Sequence, residues 1–325
     1  MNPLQNPLHP DRNLGMELVR ATEAAAIRSY QLIGKGDKMA VDGTAVDAMR
    51  AFLGTVSFRG TVVIGEGEKD AAPMLFNGEV VGNGTGPECD VAVDPIDGTS
   101  LAAAGRQNAV SVIAVSDRGS MLDASSVFYM DKLVTGAEGV GVVDIRLPIA
   151  ENIRLLAKAK GKSVNEMIIA VLDRPRHAAL IQEIREAGAG TRLLLDGDVA
   201  GGIHAARYES RIDMCVGTGG SPEGIVTACA VKAFGGVVQG IMRPKDEAER
   251  DRGLDAGLLM DHVYEINDLV TSDNTIFVAT GVTDGGLVEG VRRKGPIIRT
   301  DSIILRGLSG TIRRVSADYR ADRWL

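Results

Sequence analysis

Val93-Asp94-Pro95-Ile96-Asp97-Gly98-Thr99 closes a short β-branched run, Val91-Ala92-Val93, and places two carboxylates and a hydroxyl just beyond a strand end. Proline 95 fixes its own φ and biases Asp94 towards an extended backbone, so the turn is rigid. Gly98 permits close approach, and Thr99 stands at the expected start of a helix or loop over Ser100–Gly105. Asp, Pro and Gly are also ordinary turn residues, so alone this string reads as a turn. A second strand end changes that reading. Thr61-Val62-Val63-Ile64 runs into Gly65-Glu66-Gly67-Glu68, again two acids among glycines. In open α/β sheets, ligands bind at the carboxyl ends of strands. Two acidic clusters there repel one another unless a cation lies between them, and an oxygen-only donor set suits Mg²⁺ or Mn²⁺.

Working outward, apolar and small residues from Leu18 to Ile33 recur at helical spacing and stop at Gly34 and Gly36. A second helix is expected over Thr44–Leu53 and a buried strand over Ala109–Val115. Beyond residue 150, strand and helix alternate. The strands are Ile168–Leu172, Arg192–Leu195 and Ile212–Val216; the helices are Pro175–Glu186, Val199–Ala206 and Pro222–Phe234. This second part therefore reads as α/β with parallel strands. The charged tract Arg243–Gly257 reads as a solvated loop or helix. A strand over Thr275–Ala279 and a hairpin from Ile297–Arg306 with Gly310–Val315 close the chain.

Two acids sit in a glycine-punctuated loop expected after the first helix, in Asp37-Lys38 and Asp42-Gly43. Asp42 is a candidate metal ligand and Lys38 a charge partner. Gly219-Gly220-Ser221-Pro222-Glu223-Gly224 follows a strand and opens a helix, with Ser221 as expected N-cap and Pro222 at the first helical position. The surrounding glycines suit a backbone approached closely by a ligand.

The 325 residues suffice for two lobes, and 45% hydrophobic with 24% charged residues is ordinary globular composition. Aromatics are only 4%, so the core is aliphatic. The net charge of -7 argues against a surface built for nucleic acid or anionic membrane. No apolar segment spans a bilayer, and Cys89, Cys215 and Cys229 lack metal-ligand spacing; a cytoplasmic protein with reduced core thiols is expected. From Gly286 to Leu325, nine Lys or Arg face four Asp or Glu, which reads as a solvated basic face.

These blocks, together with Tyr129-Met130-Asp131-Lys132, Arg174-Pro175-Arg176-His177 and Asp196-Gly197-Asp198, make the sequence resemble the bacterial class II fructose-1,6-bisphosphatases. That class lies within the lithium-sensitive sugar and inositol phosphatase superfamily. The resemblance runs from Glu17 to about Arg314. It implies a mixed α/β (α+β) fold, a layered α-β-α-β-α sandwich of two lobes. The expected parts are a metal-binding lobe over 1–150, a sugar-phosphate lobe over 151–270, and strands of 271–325 packing back on the first. It implies metal binding by Asp42, Glu66, Asp94, Asp97 and Glu223. Sugar-phosphate contacts are implied for Asp97, Gly98, Thr99, Tyr129, Arg174, Pro175, Arg176, Asp196, Gly197, Asp198 and Gly220. Lys38 and Glu68 are supporting active-site residues in the same reading, and a homodimer or homotetramer is expected. Ser100 stands where some relatives carry arginine, which removes one phosphate contact.

The expected chemistry is hydrolysis of the 1-phosphate of fructose 1,6-bisphosphate. Mn²⁺ or Mg²⁺ acidifies water and neutralises the phosphoryl oxygens. Thr99 orients the water, with Glu66 or Glu68 as relay. Arg174 and Arg176 grip the uncleaved phosphate, although Arg-Pro-Arg also reads as a plain helix start. His177 is open between a phosphate contact and a helix surface. The rivals are the same chemistry on sedoheptulose 1,7-bisphosphate or an inositol phosphate, and a non-catalytic sugar-phosphate-binding regulator.

Overall fold

The helical spacing at the start of the chain becomes α1 (Leu14–Tyr30), whose apolar stripe of Leu14, Leu18, Val19, Ala25 and Ile27 is buried. The computed structural model describes residues 13–65 and 75–324. Its residues fall into two units, one of the chain up to Met121 and again from Ser272, the other from Leu122 to Thr271. The division thus falls earlier than residue 150, which lies in the first turn of a helix inside the second unit.

In the first unit, α2 (Lys38–Leu53) packs on α1 and buries Val41, Ala45, Val46, Met49 and Leu53. It begins six residues before the expected Thr44, because the Asp37 side chain accepts from the Ala40 amide at 2.9 Å and caps the helix there. Asp42 is therefore on a helix and not in a loop. β1 (Arg59–Ile64), β2 (Val80–Val81) and β3 (Glu88–Asp97) follow, then α3 (Thr99–Ala103) and β4 (Val110–Asp117).

The second unit contains β5 (Tyr129–Thr135), α4 (Ile149–Ala159), β6 (Ile168–Leu172), α5 (Ala178–Glu186), β7 (Gly190–Leu194), α6 (Val199–Ala206), β8 (Met214–Gly220), α7 (Ser221–Val231), β9 (Val237–Met242), α8 (Glu247–Asp255), β10 (Tyr264–Glu265) and α9 (Ile266–Leu269). The charged tract is thus partly helical, in α8. β11 (Ile276–Gly281), β12 (Arg292–Lys294), β13 (Ile297–Arg306) and β14 (Thr311–Arg320) return to the first unit.

The fold is mixed α/β with two mixed sheets. The first has the order β12-β13-β11-β4-β3-β1-β2, with β14 beside β13; only β1 and β3 run parallel in it. α1 lies on β4, β11 and β13, and the core joins Val91, Ile113, Val278 and Ile304 to the two helices. The second sheet has the order β10-β9-β5-β8-β6-β7, with β6, β7 and β8 parallel. α4 and α5 cover one face through Ile153, Leu156, Ile181 and Ile184 against Ile169, Val171 and Met214. α6 and α7 contact β5 and β8, where Gly201 lies against Cys215. That unit is a three-layer sandwich.

A buried polar ladder ties α1 to the returning strands. Thr22 and Thr280 hydroxyls pair at 2.7 Å, and Thr280 meets Ser302 at 2.8 Å. Glu23 accepts from Thr300 at 2.7 Å and from the Tyr319 hydroxyl. Burial raises the Glu23 pKa against the opposing pull of those two donors.

Candidate active site

The parallel pairing of β1 and β3 brings Ile64 opposite Ala92, so both strands end on one edge of the first sheet. At that edge β3 does not stop at Asp94. It continues through Pro95 to Asp97, and its pairing with β4 slips between Asp94 (opposite Val112) and Asp97 (opposite Val110). The slip is a bulge, a common device for re-aiming side chains. Asp97 is only 4% exposed and Asp94 is half-buried. Gly98 follows with φ 86°, and a Cβ there would meet Leu101 Cδ1 at 3.0 Å, so both conformation and space call for glycine. Thr99 opens α3, and its hydroxyl donates to the Ile96 carbonyl at 2.9 Å.

α2 packs on β3 and α3, and the amides of Gly34 and Gly36 donate to the carbonyls of Ala102 and Ala103 at 2.9 and 2.8 Å. The loop before α2 is thereby fixed to the helix that follows Thr99. Asp42 is half-buried on α2, and Lys38 is its exposed first residue. Gly65 ends β1 hard against the Leu75 carbonyl oxygen. Glu66 and Glu68 lie outside the described residues.

In the second unit the carboxyl ends of β6, β7 and β8 share an edge with the start of β5, whose Tyr129 pairs with Gly220. This edge gathers Tyr129, Arg174–Arg176, Asp196–Asp198 and Gly220, whereas Asp97, Gly98 and Thr99 lie in the first unit. Arg174 leads out of β6, and its guanidinium binds Asp196 at 2.6 Å and the Leu195 carbonyl at 2.5 Å. Pro175 opens a 3₁₀ turn, Pro175–His177, ahead of α5. Arg176 donates to the Thr218 carbonyl at 3.2 and 2.8 Å and lies 5.2 Å above the Tyr129 ring. Gly197 takes φ 66° between the two aspartates.

His177 is neither a phosphate contact nor a surface residue. It is 3% exposed, with Nδ1 at 2.8 Å from the Leu172 carbonyl and Nε2 accepting from the Thr218 amide at 2.8 Å. Both ring nitrogens are occupied, and Gly217, at φ 125°, lies against the ring. The imidazole is a strut between β6 and β8. Ser221 also departs from expectation. Gly220 is the N-cap of α7, and the Ser221 hydroxyl donates instead to the Val127 carbonyl.

Lys132 is a residue missing from the sequence-derived set. Its ammonium is 6% exposed, 2.5 Å from Asp198 and 3.1 Å from the Gly220 carbonyl. Burial alone lowers its pKa, but the carboxylates of Asp198 and Glu223 outweigh it and the net shift is upward. The signal was present in the sequence: Met130, Lys132 and Val134 share one face of a strand, and a lysine between apolar neighbours on a buried face requires a partner. Burial raises the Glu223 pKa, with Lys132 opposing. The Glu223 Oε2 and Asp198 Oδ1 atoms are buried without a hydrogen-bond partner among the described residues.

An oxygen-only donor suits a hard divalent cation by chemistry, and each unit supplies a desolvated one, Asp97 in the first and Glu223 in the second. Among the described residues no three acidic, histidine or cysteine side chains stand close enough to share one ion. The three cysteines are free and buried, as expected of core thiols. No helix among the described residues is long and apolar enough to cross a membrane.

The chain is similar to known proteins along nearly its whole length. Residues 12–319 match the family model described as bacterial fructose-1,6-bisphosphatase, glpX-encoded. The chain is 42% identical to fructose-1,6-bisphosphatase 1 class 2 of Escherichia coli (strain K12) over 329 aligned residues, covering 96% of each protein. The same figures hold for the fructose-1,6-bisphosphatase class 2 of Shigella flexneri. A chain matched along nearly its whole length by this model, and so similar to its members, belongs to the bacterial, glpX-encoded fructose-1,6-bisphosphatase family.

Proposed function

We propose that this protein hydrolyses the 1-phosphate of fructose 1,6-bisphosphate, giving fructose 6-phosphate and phosphate in gluconeogenesis. The observation that carries the reading is similarity over 96% of the chain to proteins named for that activity. The site supports it with two arginines, an aromatic ring and two aspartates at one edge of the second sheet.

In this reading Asp42, Glu66, Asp94, Asp97 and Glu223 hold Mn²⁺ or Mg²⁺. When bound, the ions acidify water and neutralise phosphoryl oxygens. The protein's own groups do the rest. Thr99, its hydrogen committed to the Ile96 carbonyl, presents lone pairs that accept from the attacking water and orient it. Glu66 or Glu68 receives the proton, with Lys38 as counter-charge. Arg174 and Arg176 grip the second phosphate as a guanidinium pair. Asp196 and Asp198 accept sugar hydroxyls, Tyr129 packs on the sugar, and the backbones of Gly98, Pro175, Gly197 and Gly220 leave room for it. The enzyme works in the cytoplasm as a homodimer or homotetramer, a state that light scattering measures directly.

Phosphate release across a panel of fructose 1,6-bisphosphate, sedoheptulose 1,7-bisphosphate, fructose 1-phosphate and inositol 1-phosphate tests the assignment. Fastest turnover per KM on the fructose bisphosphate is expected. Preference for another ester moves the substrate, and no release from any of them leaves a binding protein.

A further inference from the structure

Gly219 takes a backbone conformation open to any residue, since its φ is not in the left-handed region, yet a Cβ there would collide with the Asp198 carboxylate and stand 2.8 Å from the Lys132 ammonium. Space, and not conformation, excludes a side chain. What fills that space is an ion pair crossing over β8. Lys132 comes from β5, Asp198 immediately precedes α6, and the ammonium's other bond goes to the carbonyl of Gly220, the residue that caps α7. A single cation therefore ties together the starts of two helices whose preceding residues, Asp196–Asp198 and Gly220, carry the proposed sugar contacts. Asp198 spends its side chain on this bond and not on capping α6.

We infer that Lys132 is a positioning residue: its buried bridge to Asp198 and Gly220, passing over the bare Gly219, sets the separation of the two sugar-phosphate loops before substrate arrives. It is not a catalytic residue, because its two bonds go to protein groups, Asp198 and the Gly220 carbonyl, and its side chain is buried. Its function is to hold two loops in one geometry, so that a bisphosphate meets a preformed cradle. The inference rests on the proposed sugar-phosphate site for its consequence, but the bridge itself is testable without substrate.

The experiment has two arms. In the first, melting temperatures are measured for wild type, Lys132→Met, Asp198→Asn and the double variant, without divalent metal. Removing Lys132 leaves the Asp198 and Glu223 carboxylates buried without their cation, and removing Asp198 leaves Lys132 with Glu223 alone, so each single change is expected to lower the melting temperature by about 10 °C. The double variant is expected to fall no further than the worse single one, because no lone charge remains between the two groups. Additive losses would show that the two side chains are not coupled and overturn the bridge. Where Lys132→Met fails to fold, recovery of folding by the double variant supports the coupling, and absence of recovery refutes it.

The second arm reads positioning. Gly219→Ala leaves both charges but intrudes on the bridge. It is expected to raise KM for fructose 1,6-bisphosphate about tenfold while kcat stays within about threefold. Calorimetry with fructose 6-phosphate, in the absence of metal, is expected to show the same loss of affinity. Lys132→Arg keeps the charge and is expected to recover at least part of the affinity that Lys132→Met loses. Unchanged KM and product affinity in Gly219→Ala would defeat the positioning role even if the first arm holds. A wild type that releases no phosphate from any ester would defeat the functional assignment alone, leaving the melting-temperature result intact.

Discussion

The hydroxyl of Thr99 donates to the carbonyl of Ile96 at 2.9 Å, closing the turn over Asp97 and Gly98 at the end of the bulge between Asp94 and Asp97. With its hydrogen committed, the oxygen is left as an acceptor beside two carboxylates. Thr99→Ala is expected to lower kcat by about hundredfold or more, the scale on which a misplaced nucleophile slows a reaction. Thr99→Ser, which keeps the oxygen, is expected to retain most of it. The comparison is made by steady-state phosphate release, with circular dichroism to show that both variants fold. Normal hydrolysis by the alanine variant would remove the hydroxyl from the mechanism.

Chelation by EDTA is expected to abolish turnover, and Mn²⁺ or Mg²⁺ to restore it. Asp97→Asn is expected to weaken Mn²⁺ binding measured by calorimetry, since a buried carboxylate contributes charge that an amide does not. An unchanged Mn²⁺ isotherm in that variant would take Asp97 out of the donor set.

Arg176 reaches its present partners through the Thr218 carbonyl and the Tyr129 ring, leaving part of its fork available to an anion. Arg176→Ala is expected to raise KM for fructose 1,6-bisphosphate about tenfold or more, the loss of a charge-assisted bond worth about 1.5–3 kcal/mol. KM for fructose 1-phosphate, which lacks the second phosphate, is expected to change far less. Equal effects on both esters would refute the two-phosphate grip.

Burial pushes the thiols of Cys89 and Cys215 from the ordinary 9.0 up to about 12, with neighbouring carboxylates adding to it. Iodoacetamide is therefore expected to leave both unmodified in the native protein near pH 8 and to label them after denaturation. The folded-state values lie above the unfolded ones, so their contribution to stability is complete below about pH 9 and is lost as pH rises towards 12. The loss is on the order of 1.4 kcal/mol per pH unit for each thiol. Denaturant titrations at several alkaline pH values are expected to show a shallower decline for Cys89→Ala than for wild type.

Tyr319 holds the buried Glu23 carboxylate against desolvation. Tyr319→Phe is expected to cost about 1–3 kcal/mol near neutral pH by urea titration. Because burial raises the Glu23 pKa, the acid form is favoured by folding, and the stability tied to that shift is present at low pH and lost as pH rises through the folded value. The penalty of Tyr319→Phe is accordingly expected to shrink in acid, where the carboxyl no longer needs a donor for its charge. A penalty independent of pH would assign Tyr319 to packing alone.

Elements announced by local chemistry were legible in the chain. β1, β4 and β6 are built on short apolar or β-branched runs (Thr61–Ile64, Val112–Val115 and Ile168–Leu172), and α1 shows plain helical periodicity. β5 and β9, next to each other within the second sheet, were not. Lys132 and Asp131 break the apolar pattern of β5 because they serve Asp198 and Thr218, and Gly240 interrupts β9 because a Cβ would strike the Met130 sulfur. Both strands carry site chemistry or packing that sequence alternation disguises. The same holds for α2. Asp37, read as a loop residue, is a helix cap whose partner lies three residues on. His177 was ambiguous because its two backbone partners, Leu172 and Thr218, lie on separate strands. Long-range pairing of that kind leaves no local trace.

The first sheet is assembled from two separate stretches of the chain, with β4 hydrogen-bonded to β11 across the whole of the second unit, Leu122–Thr271. A ribosome delivering this protein therefore releases every strand of the second sheet before β11 exists. The half-built first sheet, with β4 as its open rim, must wait unpaired through that interval. In the order of synthesis the inserted unit is complete before the residues from Ser272 onward, which finish the carboxylate-bearing sheet. Truncation near the carboxyl end would accordingly strike the part of the molecule encoded first.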